Sequence, residues 1–180
     1  MHTAVFGGGC FGCTEAVFKM LRGVITITPG YTGGIKENST YGDVCNGNTG
    51  HAEVVRIEFD PQKISYHDLL TVFFATHDGS SLNKQGNDAG TQYRSVIFYT
   101  DETQKNEGEK FIKELNASNA EGKPIITALE RLDKFYPAEQ YHQDYYTRNP
   151  EQAYCQIIIN PKLQKVQEKF AELLKSRDNL

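Results

Sequence analysis

Apolar residues along the chain switch between alternation and helical spacing, and the order of those switches outlines the fold. Thr3-Ala4-Val5-Phe6 reads as a short strand, and Ala16, Val17, Met20 and Leu21 behind it recur at helical spacing. Val24 to Thr28 sets Ile25 and Ile27 among threonines, a second strand that Pro29-Gly30 should stop. Glu53 to Phe59 puts Val55, Ile57 and Phe59 on one face, and Asp60-Pro61 closes that strand. Ser65-x-x-Asp68 looks like a capping box that opens a helix through Leu69, Leu70, Phe73 and Phe74. A strand over Tyr93 to Tyr99, a helix through Phe111 and Leu115, and a strand over Ile125 to Leu132 follow. Glu139 to Tyr146 fits a short helix and Tyr154 to Ile159 a strand or extended segment. Pro161 with Leu163, Val166, Phe170, Leu173 and Leu174 predicts a C-terminal amphipathic helix over about residues 161–175. Without the continuous apolar runs of a parallel sheet, the pattern predicts an α+β fold. A mixed or antiparallel sheet carries packed helices, in one domain over residues 1–180.

Two stretches escape this periodicity. Tyr31 to Gly50 is rich in Gly, Asn and Thr and Asp78 to Gln92 is another polar loop, and loops as long as the first in a compact domain are usually functional or disordered. Composition narrows the classes. The 180 residues are 38% hydrophobic and 23% charged, enough for a core without staples. A net charge of −4 and the lack of any basic run argue against a nucleic-acid partner. No stretch is apolar enough to span a membrane, and Met1 to Phe6 lacks the marks of a secretory signal, so a cytoplasmic protein is expected.

The cysteines are at 10, 13, 45 and 155, too few and too scattered for a disulfide framework. Cys10 follows Gly7-Gly8-Gly9 where strand gives way to helix, so its thiol faces unpaired N–H groups and the positive helix end. That seat favours the thiolate and marks Cys10 as a candidate nucleophile, against the plainer reading of a buried cysteine in a tight turn. Cys10 and Cys13 also form a Cys-x-x-Cys pair, which admits a dithiol–disulfide oxidoreductase. Zinc is the weaker reading, because one such pair supplies two ligands and neither Cys45 nor Cys155 has a cysteine partner nearby. Glu53, where the first polar loop enters a strand, is by default an exposed carboxylate, but an apolar pocket would keep it protonated near neutral pH. Tyr31, Tyr41 and Tyr93 fall in or beside the loops, and His142 sits unpartnered on a short helix, where a structural role is the commoner one.

Together these segments closely resemble the peptide methionine sulfoxide reductase A family. The matching stretches are Gly8-Gly9-Cys10-Phe11, Pro29 to Gly34, Thr40-Tyr41, Thr49 to Glu53 and Phe59-Asp60-Pro61. They continue with His77-Asp78, Gln85 to Asp88, Gly90 to Ser95 and Glu139 to Tyr145. The likeness keeps order and spacing from about residue 4 to 160. The expected fold is a two-layer α+β sandwich with a ferredoxin-like core. The resemblance implies that Cys10 attacks the sulfoxide sulfur, Phe11 helps to pocket the methyl group, and Glu53 protonates the sulfoxide oxygen. It also implies that the Tyr41 and Tyr93 hydroxyls hold that oxygen, that Asp88 fixes substrate or a water, and that His142 sits at the edge. A sulfenic acid on Cys10 would then condense with a second thiol, and thioredoxin would reduce the disulfide. Cys155 matches a resolving position of some members and is the favoured partner, ahead of Cys13 and then Cys45. The resemblance implies S-epimer preference, no cofactor and no metal, and nothing demands more than a monomer.

The main departure is Gly12, where the family has tryptophan; the chain contains none. Losing an aromatic wall should weaken positioning of the methyl group, or admit bulkier sulfoxides. Gly79 replaces the usual proline after His-Asp, with no functional meaning attached to it.

Overall fold

The computed structural model describes residues 1–34, 40–45, 49–86, 88–118 and 122–175, with Cys45 described by its backbone alone. In chain order the strands are β1 (His2–Gly7), β2 (Val24–Thr32), β3 (Ala52–Phe59), β4 (Lys84–Gln85), β5 (Asp88–Ala89), β6 (Val96–Tyr99), β7 (Ala128–Arg131) and β8 (Phe135–Pro137). The α-helices are α1 (Phe11–Lys19), α2 (Tyr41–Cys45), α3 (Tyr66–Thr76), α4 (Glu102–Ser118), α5 (Tyr145–Arg148) and α6 (Asn160–Lys169). Six strands join in the order β7-β6-β1-β3-β2-β8, while β4 and β5 form a separate small ladder. Every pairing in the large sheet is antiparallel except β6 with β7. The units β1-α1-β2 and β3-α3-β6 interleave, giving the inner order β6-β1-β3-β2 of a ferredoxin-like core, as expected.

Alternation in the strands explains the layers. Ala4, Phe6, Val55, Ile57, Phe59 and Ile97 face the helices, where Phe6 stacks on Phe73 at 4.8 Å and packs on Phe18 at 5.7 Å. Val5, Val54, Val96 and Phe98 face the other way, beneath Ala128, Leu132 and Phe135. The Arg56 guanidinium lies 4.5 Å over the Phe135 ring and helps to cover that face. α3 begins as expected: Ser65 and Asp68 exchange hydrogen bonds across its first turn.

Four local readings need correction. β2 runs through Pro29 to Thr32, because the carbonyl of Pro29 bonds Ala138 beyond the end of β8, so the missing N–H on that side costs no ladder bond. Tyr93 ends a 3₁₀ turn (Thr91–Tyr93), and β6 starts only at Val96. Residues 139–146 divide into a 3₁₀ turn (Gln140–His142) and α5, separated by Asp144 at φ 58°. Finally, Cys155–Ile159 is a π-helical turn leading into α6. There Cys155 and Ile159 are buried while Ile157 between them is exposed, whereas a strand would put all three on one face. β8 was not anticipated. The C-terminal segment holds α6 and then a 3₁₀ turn (Ala171–Leu173).

Candidate active site

β1 ends at Gly7, and the two glycines after it turn the chain sharply into α1. Gly9 has φ 99°, and a Cβ on Gly8 would come within 2.9 Å of the His77 and Phe73 rings. Cys10 therefore becomes the N-cap of α1, and its carbonyl accepts the N–H groups of Cys13 at 3.1 Å and Thr14 at 3.3 Å.

The expected thiolate at Cys10 is not what the surroundings produce. Hydrogen bonding with the Cys13 thiol and burial push the Cys10 pKa well up, and the N–H of Gly12 opposes them only in part. Cys13 is held down to about 7, chiefly by Cys10, with Lys162 and Tyr154 assisting and burial opposing. The two thiols thus titrate as a coupled pair, with Cys10 the harder of the two to ionise.

Glu53, on β3, is 1% exposed, not the exposed carboxylate of the default reading. Burial, and then the nearby Cys10, lift its pKa to about 9, so it is a carboxylic acid at neutral pH. Its Oε1 accepts the N–H of Phe11 at 3.4 Å, while Oε2 has no partner among the described residues. A buried acid with an unsatisfied end has a proton to give.

A cavity of about 210 Å³ opens above these groups, lined by Cys10, Phe11, Gly12, Tyr41, Asp88, Tyr93 and His142. Seven residues chosen from the sequence meet there; Glu53 stands behind Phe11 rather than on the lining. Phe11 lies 5.7 Å from the Tyr31 ring, 6.2 Å from Tyr41 and 5.5 Å from His142, which forms the apolar wall. Burial lowers the His142 pKa against the pull of Glu139, so this ring is neutral at pH 7. Glu139 ties the wall together: it accepts Tyr41 N–H at 3.0 Å and the Tyr31 hydroxyl at 3.4 Å, and lies 3.5 Å from His142 Nε2.

Sequence reading missed Tyr145 and Tyr154, which complete the lining. A Cβ built on Gly12 would meet Tyr145 and Cys10 Sγ at 3.6–3.7 Å, ordinary contact, so this wall has room for a side chain. The only signal for either tyrosine was position, one closing the matched segment Glu139 to Tyr145 and one preceding Cys155. Cys155 is fully buried, clustered with Cys13, Ala16 and Ile159, with Cys10 packed against the group. Cys10, Cys13 and Cys155 are all free thiols. Among the described residues no three His, Cys, Asp or Glu side chains gather as metal ligands, and no helix is long and apolar enough to cross a membrane.

A paired thiol at a helix start, opening on an aromatic cavity with a protonated buried acid close behind it, defines a thiol-dependent oxidoreductase. Comparison with known proteins gives the family. The profile of "Peptide methionine sulfoxide reductase" matches residues 2–174, and the chain belongs to that family. It is 53% identical over 176 residues to the peptide methionine sulfoxide reductase MsrA of Acinetobacter baumannii, covering 98% of this chain and 100% of that one. Among solved structures it resembles reduced Mxr1 from Saccharomyces cerevisiae, with TM-score 0.80 and 34% identity over 86% of this chain and 88% of that one. It likewise resembles methionine sulfoxide reductase A of Corynebacterium diphtheriae, with TM-score 0.74 and 32% identity over 83% and 76% of the two chains.

Proposed function

We propose that the chain reduces methionine S-sulfoxide, free or within polypeptides, to methionine. The observation that carries this reading is the buried acid of Glu53 beside the Cys10 thiol, its Oε2 without a hydrogen-bond partner among the described residues. A sulfoxide oxygen is a poor leaving group until protonated, so a thiol alone is insufficient and a thiol beside a neutral carboxylic acid is matched to the task.

The substrate methyl group rests against Phe11 and the aromatic wall, with Gly12 leaving that side wide. The oxygen points toward Glu53 and the hydroxyls of Tyr41 and Tyr93, Asp88 holds the polar part of the substrate or a water, and neutral His142 closes the edge. As the Cys10 sulfur attacks, its proton passes to Cys13 and Glu53 protonates the oxygen. The sulfoxide S–O bond breaks, methionine leaves, and the oxygen ends on Cys10 as a sulfenic acid. A second thiol then displaces that oxygen as water. Contact with Cys10 favours Cys13 for this step, and Cys155, in the same cluster, is the thiol to which the disulfide can pass. Thioredoxin is the expected reductant, and a monomer in a reducing cytoplasm suits three free thiols.

The test uses dabsylated methionine sulfoxide with dithiothreitol and the protein, Cys10→Ser and Glu53→Gln. Methionine formation abolished by the first and slowed about 10²-fold by the second supports the reading. Reduction of protein disulfides that ignores Glu53→Gln, with no methionine formed, would replace it by a general dithiol oxidoreductase built on the Cys10–Cys13 contact.

A further inference from the structure

A second cavity, of about 520 Å³, meets the substrate cavity at Cys10, Asp88 and Tyr154. Cys13 lines this second cavity and not the first. At the boundary the Tyr154 hydroxyl lies 3.2 Å from Cys13 Sγ and donates to Asp88 Oδ2 at 3.0 Å. A phenol has a single proton. With that proton given to Asp88, a protonated Cys13 must be the donor in its contact with Tyr154. The three groups then form a directed chain, from thiol to phenol to carboxylate.

We infer that Tyr154 and Asp88 relay the proton of Cys13 to the departing oxygen when Cys13 resolves the sulfenic acid on Cys10. This rests on the sulfoxide reductase reading, which leaves Cys13 holding the proton it took from Cys10. In the relay, Cys13 gives its proton to Tyr154 as Tyr154 gives its own to Asp88. The Cys13 sulfur attacks the Cys10 sulfur, the S–S bond forms and the S–O bond breaks. Asp88, which faces Cys10 across both cavities, passes the proton to the leaving hydroxide. One thiol and one sulfenic acid become one disulfide and one water, and Cys10 is reduced as Cys13 is oxidised. Neither a free thiolate nor an outside base is required.

The setting suits a relay better than simple ionisation. Cys13 is 2% exposed and packs with Ala16, Cys155 and Ile159, so water reaches its proton poorly. The charged and titratable groups facing the relay are Cys10 at the N-cap of α1, His77 and Asp78 after α3, Asp88 on β5 and Lys162 on α6, with Cys155 one residue along the chain from Tyr154. Lys162 favours the negative charge that develops on Cys13 during attack. Tyr154 is itself pushed up by burial and by the thiols, so it stays protonated and hands a proton on only as it receives one.

A single-turnover experiment tests this. Reduced protein is mixed with one equivalent of methionine sulfoxide and no reductant, and quenched samples are assayed for methionine, for the Cys10–Cys13 disulfide and for sulfenic acid trapped by dimedone. In Tyr154→Phe the two steps are timed separately in the same samples: disulfide formation from the sulfenic acid should slow about 10²-fold more than methionine formation does, so that the sulfenic acid accumulates. Raising the pH, which ionises Cys13 without help, should restore that rate toward the unmodified protein. A slowing equal at every pH, or no slowing, would overturn the relay. On the unmodified protein the disulfide step should slow at least about twofold in D₂O with a curved proton inventory; an absent isotope effect, or a disulfide joining Cys10 to Cys155 with Cys13 untouched, would also overturn it. Absence of methionine from the unmodified protein's first turnover would instead refute the sulfoxide reductase reading.

Discussion

The two halves of the site are built differently. Cys10 and Glu53 come from the sheet and its first helix, where antiparallel pairing fixes β1 and β3 residue by residue and burial is nearly complete. His142, Tyr145 and Tyr154 come from residues 139–155, a run of short turns fastened by polar contacts. Asp144 N donates to Glu15 Oε1 at 2.7 Å, and Gln143 Nε2 donates to the Ala138 carbonyl at 3.1 Å. The Tyr146 hydroxyl reaches Asn160, and the Lys19 ammonium meets Asp144 at 2.5 Å. The difference teaches a division of work. The rigid half holds the reacting thiol and the acid that activates the sulfoxide, and the strapped half shapes the cavity and serves the second thiol.

Changes to the rigid half should be the most damaging to activity. Glu53→Gln should cut kcat/KM about 10²-fold or more, measured as methionine released. The same substitution changes stability in the opposite sense. Glu53 has a folded pKa of about 9, above its ordinary value of 4.5, so its contribution is complete below the unfolded value and is lost as pH rises toward 9. Chemical denaturation at pH 8 should therefore find Glu53→Gln more stable than the unmodified protein, and activity of the latter should decline above about pH 9.

Gly12 joins the halves, since it belongs to α1 yet faces Tyr145. Gly12→Trp should raise kcat/KM for methionine sulfoxide by roughly 1–3 kcal/mol of transition-state binding and exclude sulfoxides with larger substituents. Rates on methyl and benzyl sulfoxides compared side by side would check this, and no gain on the methyl sulfoxide would mean that Tyr145 already supplies the wall.

Loosening the strap should cost less. Glu15→Ala leaves the N–H of Asp144 without its acceptor and should lower stability by about 1–3 kcal/mol, with KM rising more than kcat falls. Glu15 carries a pKa raised to about 7, chiefly by burial. Its stabilising contribution is therefore full below 4.5 and is lost by about pH 7, so the stability gap between the two proteins should narrow as pH rises through that window. The exposed Lys19–Asp144 pair is the weakest tie, and Lys19→Ala should change stability by under about 1 kcal/mol.

The same contrast decides what could be read from the sequence. Alternation at Val55, Ile57 and Phe59, the capping box at Ser65 and the strand-glycine-helix junction at Cys10 are local signals, and each predicts its element. Residues 139–159 hold few such signals, because their conformation is set by distant side chains such as Glu15 and Lys19. Period counting thus made a strand of the π-helical turn at Cys155 and one helix of two turns divided by Asp144. At the site, the sequence named most of the residues lining the cavity, Tyr145 and Tyr154 excepted, but it could not say how protons are shared. The helix end alone argued for an anionic Cys10; a second thiol against it reverses the order. Tyr154 escaped for a related reason, since its partners Cys13 and Asp88 lie 141 and 66 residues away.

The most direct measurement of the central claim is a single turnover of the Cys13→Ser, Cys155→Ser protein with methionine sulfoxide and dimedone, read by peptide mass mapping. One equivalent of methionine with one dimedone adduct on Cys10 is the expected result. Methionine formed without that adduct, or an adduct on another cysteine, would contradict the assignment of Cys10 as the sulfur that takes the oxygen.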